Sequence, residues 1–158
     1  MITPPLVAAI RKRFALDWHG IHGAAHWTRV RCIGLKLAHF TGANLEVVEC
    51  FAFLHDTCRR VDGPDPEHGA RAALFAERIN ERVLGLREQD LALLVEACIG
   101  HSDGESHQDL TVATCWDADR LDLARLGITP EPSRLCTEHA ARPEFYNWAV
   151  RLSGRHAA

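Results

Sequence analysis

His55 and Asp56, in the run FAFLHDTCRR, set an imidazole beside a carboxylate at the end of an apolar segment. Neutral imidazole and carboxylate together suit Mn, Fe, Zn or Mg with coordination positions left open. A His-Asp dipeptide alone says little, because polar neighbours are common at helix ends. It gains meaning from its company: His19, His22 and His26 upstream, His68 and His101 downstream, then the acidic cluster Asp117-Ala118-Asp119. His22 and His26 are four residues apart and share a face if that stretch is helical. Asp119 has Trp116, Leu121 and Leu123 nearby, and a carboxylate in such an apolar helix is costly unless paired or bound to a cation.

The elements that must carry these residues read as helix after helix. Thr3 can cap a first helix with Pro4 and Pro5 in its first turn, followed by a stripe of Leu6, Ile10 and Phe14. A second runs from about His22 to Phe40, with Val30, Ile33, Leu37 and Phe40 in register and Gly42 as its stop. Asn44 can cap a third, whose Val47, Val48, Phe51 and Leu54 lead to His55-Asp56. After a turn-rich loop at Val61 to Pro66, a fourth is expected from Glu67 to about Val83, with Ala70, Ala73, Leu74 and Ile79 inward and Gly85 closing it. A fifth spans about Arg87 to Gly100, with His101 at its end, and a sixth about Leu110 to Leu126. Pro130, Pro132 and Pro143 break the tail into one or two short helices, including Phe145 to Leu152. Few runs alternate with period two, so the expected fold is all-α, a single compact bundle of about six to eight helices.

Length and composition bound the function. A chain of 158 residues is one domain by size. It is 47% hydrophobic and 25% charged with net charge −3, which gives no broad basic surface for extended nucleic acid. Ten histidines are many for this length and raise the prior for a metal enzyme. The six cysteines form no C-x-x-C pair and mostly sit among apolar neighbours, as expected of buried reduced thiols. His39, His107, His139 and His156 fit no pattern and are expected to be exposed, as is His19. Met1-Ile2-Thr3-Pro4-Pro5 leads straight into an amphipathic segment, and no stretch reaches the ~18 apolar residues that span a bilayer. A cytoplasmic protein with no membrane partner is expected.

The order His26, His55-Asp56, Asp119, all on helices, resembles the HD-domain superfamily of metal-dependent phosphohydrolases. His26-Trp-Thr-Arg-Val30 is similar to that family's first motif, Phe53-Leu54-His55-Asp56 to its second, and Asp117-Ala-Asp119-Arg-Leu121-Asp122 to its last. The likeness covers roughly residues 20 to 126, with residues 127 to 158 as a helical tail of the same domain. It implies His26, His55, Asp56 and Asp119 as ligands of one metal, Asp117 remaining the alternative to Asp119. Members with two metals carry histidines at similar points, which implies a bridging Asp56 with His68 and His101 on a second ion. Those three residues would carry the catalysis. With one metal only, His68 and His101 would face a phosphate or a metal-bound water.

The implied activity is phosphoester hydrolysis at one or two divalent transition metals (Fe, Mn, Zn, Co, Ni or Mg), which supply a nucleophile from water at neutral pH and neutralise phosphoryl charge. Arg29, Arg59, Arg60 and Arg120 are candidates to bind the substrate's oxygens, with His22 lining the pocket. Many members carry lysine soon after the His-Asp pair, where this chain has arginine. Trp18-His19-Gly20 and the loop Gly100 to Asp109 are expected to shape the pocket. The partner expected is a nucleotide or other small phosphate ester, and a homodimer is left open. The Gly-Tyr-Pro signature of the cyclic-di-GMP branch is missing, which disfavours that branch. Two further classes stay open: a mixed-valent di-iron oxygenase of the HD type, and a non-catalytic nucleotide-sensing module.

Overall fold

Four of the helices start at a residue whose side chain accepts from otherwise unpaired amide groups: Thr3, Asn44, Asp109 and Thr137. In the computed structural model, which describes residues 2–154, Thr3 accepts from the Leu6 amide and opens α1 (Pro4–Arg13). The second helix, α2 (Ala24–Thr41), ends at Gly42, whose left-handed φ of 75° lets the chain reverse into α3 (Leu45–Leu54). Asn44 caps α3 by accepting from the Glu46 and Val47 amides. Its side-chain amide also donates to Asp90 in α5 (Glu88–Gly100), and its main-chain N–H donates to Thr111 in α6 (Leu110–Leu121). One loop residue therefore ties the starts of three helices together.

The fourth helix, α4 (His68–Ile79), packs mainly along α5, while α2 lies between α3 and α6. A one-turn helix, α7 (Glu138–Ala141), and a full-length one, α8 (Pro143–Gly154), complete the set. Ala140, Phe145 and Ala149 fasten this tail to the same core as Trp27, Ile33, Phe51, Leu94 and Leu121. The Asp117 carboxylate adds polar anchors by accepting from the Cys136 and Thr137 amides and the Thr137 hydroxyl. The described residues form eight α-helices and no strand, so the all-α expectation holds. No helix among them is long and apolar enough to cross a membrane.

Several details differ from the sequence expectation. Ala70 and Leu74 are exposed, and α4 instead buries His68, Gly69, Ala72, Ala73 and Ala76. The close approach of α4 to α5 selects small side chains: a Cβ on Gly69 would stand 2.2 Å from the Cys98 carbonyl oxygen. The helix ends at Ile79 and relaxes into a π-helical turn, Asn80–Leu84, before Gly85. The sixth helix stops at Leu121 and tightens into a 3-10 turn, Asp122–Leu126. His107 and His139 are half-buried, one paired with Glu96 and the other stacked on Phe40 at 3.8 Å. His19 and His39 are exposed as expected, and His156 lies outside the described residues. Cys50, Cys58, Cys98 and Cys115 are buried free thiols, whereas Cys32 is exposed and Cys136 half-buried.

Candidate metal centre

Five helices deliver side chains to one point. His26 is the third residue of α2, and His55 ends α3 with Asp56 in the turn behind it. His68 opens α4, His101 ends α5, and Asp119 lies two residues before the end of α6. All are buried except Asp119, which keeps 20% of its side chain exposed.

Their donor atoms converge on the two oxygens of Asp56. Around Oδ2 stand His26 Nε2 at 3.6 Å and His55 Nε2 at 3.7 Å, and Asp119 Oδ1 lies 3.4 and 3.5 Å from the same two nitrogens. Around Oδ1 stand His68 Nε2 at 3.2 Å and His101 Nε2 at 3.8 Å. A cation with ligand bonds of about 2.1 Å spaces neighbouring donors about 3.0 Å apart in octahedral and about 3.4 Å apart in tetrahedral coordination. These spacings fit, and the buried groups could hold a metal ion. His26, His55 and Asp119 form one compact donor set, and His55, Asp56 and His101 another.

The imidazole tautomers make the case stronger than the distances do. His55 Nδ1 bonds the Phe51 carbonyl, His68 Nδ1 the Asp65 carbonyl and His101 Nδ1 the Cys98 carbonyl. A carbonyl only accepts, so each Nδ1 carries a proton, and in the neutral form each ring turns an Nε2 lone pair inward. His26 Nδ1 donates likewise to the Asp122 carboxylate at 2.7 Å. The result is two pairs of facing acceptors, His26 with His55 at 3.1 Å and His68 with His101 at 2.8 Å. Facing lone pairs at that distance repel unless a proton or a metal cation lies between them. Protons answer in part: burial alone would push His55 down, but Asp56 and Asp119 outweigh it and its pKa lies above the ordinary value. Burial works to raise Asp56 and Asp119 too, and the surrounding imidazoles outweigh it, holding both well below the usual carboxylate range. Burial pushes His26 the other way, below the ordinary imidazole value, against its bond to Asp122.

Residues behind the cluster fix its aim. Arg29 grips Asp122 with two N–H groups, at 2.7 and 3.2 Å, and Asp122 in turn orients His26. Such carboxylate–histidine pairs set ligand orientation and basicity. Asp122→Asn is therefore expected to weaken cation binding by roughly 10–100-fold, measured by competition with a chelator. Wild-type affinity in that variant would show that His26 is held by packing alone. His22 Nδ1 stands 2.8 Å from Asp56 Oδ2, and Arg59 Nε donates to Oδ1 at 2.8 Å. Asp65, held by Arg71 and by the Arg60 amide, folds the loop that lets His68 return to Asp56 only 12 residues on.

Asp56, His101 and Asp119 of the cluster form the floor of a cleft of about 740 Å³. Of the residues expected to bind substrate, His22, Arg59 and Arg120 line it. Arg29 and Arg60 are not among its lining residues: the first is buried on Asp122, and the second is exposed. Arg120 lines the wall, but its N–H groups already serve the carbonyls of Gly104, Glu105 and Arg134 and the Cys136 thiol. It braces two loops against each other and has little donor capacity left for substrate. The 101–105 loop shapes the cleft as expected, whereas Trp18 packs edge-on against Phe14 and Trp27 instead. Asp117 has its oxygens turned to residues 136 and 137, so Asp119 is the acid whose carboxylate stands in the cluster. Asp122, Arg125 and Arg134 were not anticipated. Asp122 had a legible signal, since His26 and Arg29, like Asp119 and Asp122, are three residues apart on one helix face. Comparison with protein-family models, with curated proteins and with solved structures gives no match to this chain.

Proposed function

We propose that this chain is a metal-dependent phosphohydrolase acting on a nucleotide or other small phosphate ester, with Asp56 shared between two divalent cations. One observation carries this: four Nε2 lone pairs, each locked by an Nδ1 hydrogen bond, are turned in pairs on the two oxygens of one carboxylate. His26, His55, Asp56 and Asp119 would hold one ion, and Asp56, His68 and His101 the other. An all-nitrogen and oxygen donor set suits Mn, Fe, Zn, Co or Ni. Bound there, such cations supply Lewis acidity and a nucleophile from water at neutral pH.

The chain's own groups do the rest. Asp119, the ligand left partly exposed, marks the side from which substrate enters. Arg59 lies at the cleft floor beside Asp56, where its guanidinium can donate to a phosphoryl oxygen. His22 holds Asp56 from the opposite side, with its second nitrogen on the Asp62 carbonyl, so the shared carboxylate stays in place as charge develops.

The test is a matrix of phosphate release against Mn, Fe, Co, Ni, Zn and Mg, run anaerobically with the metal content measured alongside. Metal-dependent release that disappears in Asp119→Ala, with helical content unchanged, is the expected result. Dioxygen uptake by the iron form with no phosphate released from any ester would instead establish an oxygenase. Nucleotide binding that survives His55→Ala, with no turnover in wild type under any metal, would establish a sensing module.

A further inference from the structure

We infer that the substrate is a phosphate monoester whose alcohol part is a positively charged amine, not a polyphosphate. This rests on the hydrolase reading above and narrows it. The cleft is asymmetric in charge from floor to mouth. Its floor, once loaded with cations, is positive and takes the phosphoryl group. Its mouth carries four carboxylates, Asp62, Asp103, Glu105 and Glu131, all exposed and none with an ion-pair partner among the described residues.

The cleft's cations do not balance them. Arg59 is paired with Asp56, and Arg125 is bound to the Ile21 and Asp122 carbonyls with the buried Asp122 carboxylate 3.6 Å away. Arg120 keeps its charge, with its N–H groups committed to loop carbonyls and a thiol. Arg134 is the lining arginine whose guanidinium has no partner among the described residues. Arg29 already takes the single charge of Asp122, so four carboxylates face three guanidinium charges, those of Arg120, Arg125 and Arg134, and the mouth keeps a net charge of about −1. In a cleft, low-dielectric walls concentrate such a field instead of letting solvent disperse it.

A second feature of the mouth is independent of charge. Ile21, Leu126 and Ile128, exposed by 46%, 38% and 50%, all border this cleft. Exposed apolar side chains gathered at a concave site mark a contact surface. Together they describe a ligand with an anionic end for the metals, a short apolar stem for Leu126 and Ile128, and a cationic head for the carboxylates. Amino-alcohol phosphates have that layout. A nucleoside triphosphate or a dinucleoside polyphosphate would drive extra negative charge against the acidic mouth.

The experiment separates the two readings by measuring binding and turnover. Titration calorimetry on the manganese-loaded protein compares 3-aminopropylphosphonate with butylphosphonate, which matches it in length but lacks the charge. Neither is a hydrolysable ester. We expect the amine to bind roughly tenfold more tightly at low ionic strength. That advantage should shrink with added salt, and in the double variant Asp103→Asn with Glu105→Gln. In turnover, choline phosphate should outrun its neutral carbon analogue 3,3-dimethylbutyl phosphate. The double variant should remove the difference by slowing release from choline phosphate. Equal affinity for the two phosphonates, or faster release from nucleoside mono- or polyphosphates, overturns the amine proposal and leaves the hydrolase reading standing. Binding of neither phosphonate, with no phosphate released from any ester, overturns both.

Discussion

Replacing Asp56 with alanine is expected to empty both halves of the metal centre at once and to lower phosphate release by roughly 10⁴-fold, the scale seen when a group on which a whole site depends is removed. The geometry gives the reason. Oδ2 faces His26 and His55, Oδ1 faces His68 and His101, and among the described residues no second carboxylate is placed to take over both roles. Asp119 reaches His26 and His55 alone. Loss of Asp56 also strips Arg59 and His22 of their buried partner, which turns a neutralised cluster into a cationic one. Single substitutions at His26 or His68 touch one half each and should leave one ion bound. Native mass spectrometry of metal-loaded protein reads the difference directly. An Asp56→Ala protein that retains an ion at wild-type affinity, or turns over at the wild-type rate, would refute the bridge.

Gly69→Ala is expected to destabilise the fold by about 1–3 kcal/mol and to release the His68–His101 ion selectively. The added Cβ would stand 2.2 Å from the Cys98 carbonyl oxygen and 3.3 Å from His101 Nδ1. The Cys98 carbonyl, in the last turn of α5, is backbone and is held by His101 Nδ1, so it cannot swing aside and α4 must move away from α5. His68 directly precedes Gly69, and Cys98 O is the acceptor that fixes the His101 ring. One methyl group therefore spreads the 2.8 Å His68–His101 pair and disturbs the tautomer of one member. The His26, His55 and Asp119 set lies on other helices and should keep its ion. Urea unfolding gives the stability change, and metal stoichiometry falling from two to one gives the selectivity. An unchanged midpoint with full stoichiometry would show that the two helices yield at no cost.

How much of this was legible in the sequence depended on whether a residue acts locally or through a distant partner. Thr3, Asn44, Gly42 and Gly85 act on their own turns, and each does what its type implies. The face of α4 was misread because hydrophobicity favours Leu74 as a core residue, whereas the tight α4–α5 contact admits only Gly69, Ala72, Ala73 and Ala76. The end of α6 was misread because glycine first appears at Gly127, so nothing local marks the tightening at Asp122. The six imidazole and carboxylate groups were legible as types in order, since chemistry restricts what can sit there. The arginines were legible only in part: Arg59 and Arg120 reach the cleft, but Arg120 spends its donors on main-chain carbonyls, and a main-chain carbonyl leaves no trace in a sequence.

The burial of the thiols bears on which metal the proposed centre would acquire. An unfolded chain offers six cysteines alongside its histidines, and thiolates prefer zinc, copper and other soft ions. Folding withdraws Cys50, Cys58, Cys98 and Cys115 into the core, where burial raises their pKa, to about 11 for Cys50 and further for Cys98 and Cys115. The imidazole–carboxylate set assembles only when five separate helices have docked. For the proposed centre, the choice of ion would be decided by timing: metal met before folding would be sorted by sulfur, and metal met afterwards by nitrogen and oxygen.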